Sequence, residues 1–405
     1  MAPVTSGDSW QLRNIPVLDV PEYRRYLVWI LAVALVLRVA AAILLPDQTF
    51  SDTASYRQIA FEIGRHHRFV NSYVMPLYPL IVSVTGAGWG QLCFDIAVSV
   101  ATVYLVYALT FAVASNQIAA LYAAVGTAIY PYFIFYSVVG LTETLFIALL
   151  IAGFLAWYQG RFTTAAVFIV LCILTRPTID LLPPLLIFYF ALVIHQMKLG
   201  TAIRHLAIYA LIYCALLAPW WLHNYHAYGS FVRLNLSGGE TLYFGNNPRN
   251  QTGGVSDVTL DMERFDRIAD PVARDHAARD AAVEYITEDP IRFIKLAGLK
   301  FVRFWRLWPF ATAYSGPAFV ILSIVSFLPV LVLALVYVVT CGPIMFIRIA
   351  PIGVFIGYLT LVHMIFVGSI RYRLPIEPFL IALASLSFSK IVDVFRWSER
   401  NRNAK

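Results

Sequence analysis

The sequence predicts an all-α protein that crosses a membrane many times, with roughly ten to twelve helices. Two observations carry that reading. Hydrophobic residues make up 60% of the 405-residue chain, and its mean hydropathy is +0.72. The apolar residues also come in long runs rather than in the one-sided stripe of a soluble helix. Charge agrees: the net charge is +7, with basic residues at both termini and in short loops, as the positive-inside rule asks and unlike a nucleic-acid-binding surface. Cys93, Cys172, Cys214 and Cys341 are scattered in apolar stretches. They have no metal or redox spacing, and no structural disulfide is expected.

In chain order, residues 1–25 form a polar tail ending in Arg24 and Arg25, expected in the cytoplasm, with no cleavable signal peptide. The first span covers 26–45; Arg38 within it either snorkels or faces the bundle. Residues 46–79 form a first outer loop. In it Tyr56, Ile59, Ala60 and Ile63 recur at helical spacing, predicting a short amphipathic helix with one face on the membrane surface. Asp52 opens that helix, where a carboxylate either caps free N–H groups or serves as a general base at the membrane boundary.

Apolar segments follow at 75–88, 91–113, 117–136, 139–158, 163–175, 179–196 and 205–222. Residues 26–222 thus read as one transmembrane module. Residues 223–316 read as a larger outer loop with interfacial helices, of which 257–296 is an amphipathic helix rich in paired charges. Spans near 317–339, 350–368 and 373–392 follow, and 393–405 form a basic cytoplasmic tail. Both outer loops lie on one side only if one of the seven segments between them fails to cross. Segments 75–88 and 163–175 both fall short of the roughly 20 residues a span needs.

The membrane-embedded half holds few acids: Asp95, Glu143 and Asp180. Each should face the bundle, a cavity or the interface, because an acid in hydrocarbon is costly. Aromatics and a proline before Glu143 predict a helix break, with Glu143 near the start of the next helix. It is either an interfacial carboxylate or a group that orients a sugar or a catalytic residue. Arg176 precedes Pro177, which stiffens the backbone and ends the helix. An arginine held there suits a phosphate, its planar fork making two hydrogen bonds at once; pairing with Asp180 as an interfacial anchor is the alternative.

Farther along, Trp220 and Trp221 fit an aromatic belt. Gly238-Gly239 and Gly245-Asn246-Asn247-Pro248 read as turns in which backbone amides can converge on an anion or a sugar. Asn250-Gln251-Thr252 matches a glycosylation acceptor. Arg292, Lys295, Lys300, Arg303 and Arg306 are interleaved with Phe and Trp, which suits a helix in the headgroup layer touching anionic lipid. Arg371 and Arg373 precede the last span on the outer side, where an anionic ligand would account for them. No Walker loop, dinucleotide fingerprint, HExxH or Gly-x-Ser-x-Gly elbow is present.

These stretches together carry a resemblance. An acid on a short helix in the first outer loop, followed by PLYP, resembles the start of the GT-C membrane glycosyltransferases. LTETLF, LTRPT, APWWLHNYHAYGSFVRLNLSGGETLYFGNNP, DPIRFIKLAGLKFVRFW and RYRLPIEPF are similar to the bacterial protein-mannosyltransferase-like branch (glycosyltransferase family 39 type) and to lipid A aminoarabinose transferases. The resemblance spans most of 26–390. It implies a GT-C fold, a polyprenyl-phosphate sugar donor, an active site facing the periplasm across the bacterial inner membrane, and transfer with inversion. By position Asp52 matches the catalytic base. Arg176, Arg371, Arg373, Glu143, Tyr56, Gly245, Asn246 and Asn247 are the expected donor phosphate and sugar contacts. Thr53 stands where many protein-modifying relatives carry a second acid, and the soluble C-terminal domain of some relatives is missing. A lipid or glycan acceptor is therefore expected ahead of a protein. No cofactor and no metal are expected, since one carboxylate rarely builds a hard-cation site. The competing readings are a flippase of lipid-linked sugars, and a glycan polymerase or ligase using a pyrophosphate-linked donor.

Overall fold

Prolines set the helix starts. Pro131, Pro183, Pro271, Pro290, Pro317 and Pro343 each stand in the first turn of an α-helix, where the missing N–H leaves no intrahelical bond unmade. The computed structural model describes residues 21–45, 50–254, 263–310 and 316–403. Most of the predicted N-terminal tail, four residues of the first outer loop and 257–262 of the predicted amphipathic helix lie outside that set. The described residues contain no strand.

The chain begins with α1 (Pro21–Leu44), α2 (Ser51–His66), α3 (Leu77–Thr85) and α4 (Trp89–Ala114). Next come α5 (Gln117–Ile129), α6 (Pro131–Tyr136), α7 (Glu143–Tyr158) and α8 (Phe162–Thr175). A 3-10 turn at Pro177–Ile179 leads to α9 (Pro183–Phe188), which runs on as a π-turn over Tyr189–Ile194, and to α10 (Leu199–Tyr228). The large loop holds α11 (Gly238–Asn246), α12 (Glu263–Asp266), α13 (Pro271–Glu288) and α14 (Pro290–Trp305). The chain closes with α15 (Pro317–Thr340), α16 (Pro343–Ile365), α17 (Ile370–Arg373), a 3-10 turn at Leu374–Ile376 and α18 (Glu377–Asn403).

Among the described residues, six helices are long and apolar enough to cross a membrane, and four shorter apolar helices of 10–17 residues lie among them. The chain is a multi-pass membrane protein. At 9 residues, α3 is about 14 Å long, about half the thickness of a bilayer's hydrocarbon core. The other short segment, α8, packs along α7 as an antiparallel hairpin, and both helices are largely buried. Because α7 is apolar on every side, it sits in the main core packed along α4 and α8, with Phe154 meeting Phe355 of α16 and Phe379 of α18.

Several expectations change. The 117–136 segment is two helices, broken where Pro131 withholds its N–H. The helix predicted over 257–296 is broken at two Asp-Pro pairs. Asp270 accepts from the amides of Val272 and Ala273, and Asp289 accepts from that of Arg292, so each aspartate caps a new helix. Gly238 and Gly239 open α11, and Gly245 and Asn246 lie in its last turn rather than in a loop. The apolar face of α2 (Tyr56, Ile59, Ala60) is buried against protein, not laid on a lipid surface. Arg38 faces the bundle, where it donates to Ser99 Oγ and to the carbonyls of Ala34 and Ala128.

Candidate active site

Two helix ends and two short segments bring four charged side chains together. Glu143 is the first residue of α7, and Arg176 follows the last residue of α8. The α7–α8 hairpin returns the chain to its starting level, so the two meet at 2.5 Å. Arg371 on α17 donates from Nε to the same Glu143 oxygen and from Nη1 to Asp52 Oδ2 at 2.7 Å. The result is a chain Asp52–Arg371–Glu143–Arg176. Its burial is graded: the Glu143 side chain is 1% exposed, Arg176 19%, Arg371 23% and Asp52 43%. Glu143 is a fixed inner anchor, and Asp52 is the group open to an incoming molecule.

Asp52 does not cap its helix. Phe50 stands at the N-cap with no side-chain bond, and the Asp52 carboxylate reaches Arg371 instead. Only Oδ2 is engaged among the described residues, which leaves Oδ1 to accept a proton. Arg176 likewise uses only Nη1, toward Glu143 and Thr142. Its Nε and Nη2, and Nη2 of Arg371, hold N–H groups that can bond an anion. A divalent cation does not fit here, because the Arg371 guanidinium lies between the two carboxylates.

A polar network seats α2, and hence Asp52. Thr53 Oγ donates to the Val139 carbonyl at 2.8 Å, and Arg57 Nε donates to Gln91 Oε1 at 2.9 Å. Gln91 in turn donates to the Tyr78 hydroxyl, which donates to Asp95. Asp95 is therefore tied to α3 rather than to the charged chain. Gly140, at φ +69°, lets the 138–142 turn pass between Thr53 and Gln91; a Cβ there would stand 2.7 Å from Gln91 Nε2. Thr53, Gln91 and Tyr78 were not among the expected site residues. Their signal in the sequence is only that of ordinary polar residues in an apolar setting.

Tyr56 joins the site from below. Its ring meets Tyr78 edge to face at 5.4 Å, and burial pushes its hydroxyl up to about 12 despite Arg176 nearby. Tyr372 was not anticipated: Arg176 stands over its ring at 5.6 Å. Asp180, the alternative partner for Arg176, pairs with Arg233 and accepts from the Tyr213 hydroxyl.

Four expected contacts do not reach this cluster. Arg373 is fully buried, ion-paired with Glu377 and donating to the carbonyls of Phe304 and Arg306; it fastens α17 to α14 and α18. Asn246 donates to the carbonyls of Leu242 and Ile365 and accepts from Lys300. Asn247 closes its own turn, donating to the Tyr243 carbonyl and accepting from the amides of Arg249 and Asn250. Gly245 is needed for close approach, since a Cβ would fall 1.8 Å from the Phe366 carbonyl. The glycosylation match also fails, because Asn250 is 1% exposed and its amide bonds the carbonyls of Phe244 and Gly254.

The basic interfacial helix α14 is used from both sides. Ile291, Ile294 and Val302 are exposed along one face, with Lys295 beside them. On the other face Arg292 binds the carbonyls of Asn246, Asn247 and Asn250, and Lys300 binds Asn246 and the Ile365 carbonyl. Those two cations, predicted for lipid, are spent on the fold. Trp220 and Trp221 likewise donate to the Leu234 and Arg233 carbonyls, binding the 231–236 segment to α10.

No protein-family model matches the chain, and no curated protein does. Solved structures do. The archaeal oligosaccharyltransferase AglB from Archaeoglobus fulgidus, in complex with an inhibitory peptide and a dolichol-phosphate, aligns with a TM-score of 0.57 at 14% identity, over 95% of this chain and 52% of that one. The Archaeoglobus fulgidus oligosaccharyltransferase tethered with an acceptor peptide gives 0.58 at 14%, over 96% and 52%. ArnT from Cupriavidus metallidurans bound to undecaprenyl phosphate gives 0.45 at 12%, over 84% and 77%, too loose a fit to add to these. The chain spans about half the length of the oligosaccharyltransferases it matches. At such identities the likeness is one of fold: this is a GT-C-type helical membrane fold.

Proposed function

We propose that the chain is a membrane glycosyltransferase. It moves a sugar from a polyprenyl-phosphate donor to an envelope acceptor, lipid or glycan rather than protein, at the periplasmic face of a bacterial inner membrane. The observation that carries the reading is the convergence of Asp52, Glu143, Arg176 and Arg371 at one end of a GT-C-type bundle. Those four residues come from segments far apart in the chain.

In this reading the donor's phosphate binds the free N–H groups of Arg176 and Arg371, with its lipid tail in the bilayer. Asp52 Oδ1 takes the proton from an acceptor hydroxyl as that oxygen attacks the anomeric carbon. The bond between that carbon and the phosphate oxygen breaks, and the charge left on the polyprenyl phosphate is met by the two arginines. Glu143 holds both guanidinium groups in place, and Arg371 orients Asp52. A general base contributes typically about 10²–10⁴-fold.

The test is transfer from a radiolabelled undecaprenyl-phosphate sugar by purified protein, with a membrane extract as acceptor pool. Wild type should give a labelled product, whose identity names the acceptor. Asp52→Asn should give none while still binding donor; a wild-type rate in that variant removes Asp52 as base. Running monophosphate- and pyrophosphate-linked donors side by side separates this reading from a polymerase or ligase. Sugar lipid moved across vesicles without product would mark a flippase.

A further inference from the structure

Arg371, Tyr372 and Arg373 are consecutive, yet each does something different. Arg371 bridges Asp52 and Glu143, and Arg373 is locked into the core by Glu377 and two carbonyls of the α14 end. Between them, Tyr372 presents one ring face to Arg176, whose guanidinium carbon lies 5.6 Å from the ring centroid. Its stacking partner is His363 of α16, with centroids 4.7 Å apart and planes within 6°. His363 stacks in turn on Phe304 of α14 at 5.5 Å and 20°, and its Nδ1 lies 3.0 Å from the Val367 carbonyl. A ladder of rings thus runs from α14 to Arg176.

Arg176 has little else to orient it. Its charged fork touches Glu143 and Thr142 through Nη1 alone, and one anchored nitrogen leaves the guanidinium plane free to turn. The phosphate-facing nitrogens point in a defined direction only if a second contact fixes the plane. The Tyr372 face is that contact, because a guanidinium is drawn to the ring's negative face.

We propose that Tyr372 is a positioning residue that fixes Arg176 for the phosphate of the lipid-linked donor, with His363 holding Tyr372 in its pose. The proposal rests on the phosphate-binding role given to Arg176 above. It requires the ring and not the hydroxyl, and it acts through Arg176 alone.

The experiment measures binding of undecaprenyl phosphate, without sugar, to the full chain in detergent. Tyr372→Phe should bind within about twofold of wild type. Tyr372→Leu should bind about 3- to 30-fold more weakly. In the Arg176→Gln background, where Arg371 still holds the phosphate, Tyr372→Leu should cost nothing further. His363→Phe, which keeps a stackable ring, should behave as wild type, and His363→Leu should lose part of the affinity; this pair decides the matter if Tyr372→Leu does not fold. Equal binding by Tyr372→Leu and wild type overturns the proposal, and so does an equal loss with and without Arg176. No binding by wild type overturns the donor reading itself, and the positioning role with it.

Discussion

Glu143 is the residue on which the site's charge balance turns. It is fully buried and shared by two arginines, so Glu143→Gln leaves Arg176 without an acidic partner in a largely desolvated place and leaves Arg371 with Asp52 alone. Removing one member of a buried ion pair typically costs about 3–5 kcal/mol. We expect a clear drop in the melting temperature in detergent and loss of transfer, where Asp52→Asn, at a more exposed position, loses transfer with little change in melting. A melting temperature unchanged by Glu143→Gln would contradict the anchoring role. Lys300 makes a pH-dependent prediction. Burial, with Arg292 adding to it, pushes its ammonium down to about 7 from an ordinary 10.5. Between those values the unfolded chain binds the proton and the folded one does not, so stability rises with pH, by at most about 1.4 kcal/mol per unit. The melting difference between wild type and Lys300→Met should therefore grow in favour of wild type from pH 6.5 to pH 9, and a flat difference would refute it.

At the scale of elements, the seat of α2 matters most, because α2 carries Asp52. The 138–142 turn and the Thr53–Val139 bond hold it. Gly140→Ala would force a left-handed residue to carry a Cβ, at about 1–2 kcal/mol, and would push Gln91 and Thr53 aside. We expect a lowered melting temperature and transfer reduced more than that loss explains, because the base is displaced; full activity would show that α2 has another seat. This is also where the sequence is hardest to read. Asp52, Glu143, Arg176 and Arg371 stood out because a charge beside apolar runs or at a proline break demands a reason. Tyr56 stood out as the first apolar position on the face of α2. Tyr372, Gln91 and Thr53 act through tertiary contacts that leave no spacing behind. Asn246 and Asn247 misled for the opposite reason: a Gly-Asn-Asn-Pro run reads as a loop, but its side chains are consumed by carbonyls of α11 and the end of α16. Arg373 could not be told from Arg371 by sequence, since helical geometry two residues apart sends one inward and one to the site.

At the scale of the whole molecule, the sequence placed most of the membrane helices, because long apolar runs have few other uses. It could not decide which short segment fails to cross; the meeting of Glu143 with Arg176 requires the α7–α8 hairpin to return to its starting end. The same alternation puts Arg161 and Lys198 at the end of the bundle away from Asp52. In a cysteine-free background, single cysteines at Arg57 and Arg233 should react with a membrane-impermeant maleimide from the periplasmic side, and cysteines at Arg161 and Lys198 only after the membrane is opened. The reverse pattern would invert the proposed orientation.

The ion-pair chain also has an order in time. Glu143 lies 33 positions from Arg176 but 228 from Arg371, and Asp52 lies 319 from Arg371. A ribosome delivers α7 and α8 close together, so the buried acid can enter the membrane already matched to an arginine from its own hairpin. Arg371 emerges about 10–40 s later at ordinary rates of synthesis. Until then Asp52 has no partner. A chain arrested before α17 would hold a stable hairpin with a neutral core and a first loop seated through Thr53 and Arg57 but with Asp52 unpaired, and the candidate active site would close only as the last span is made.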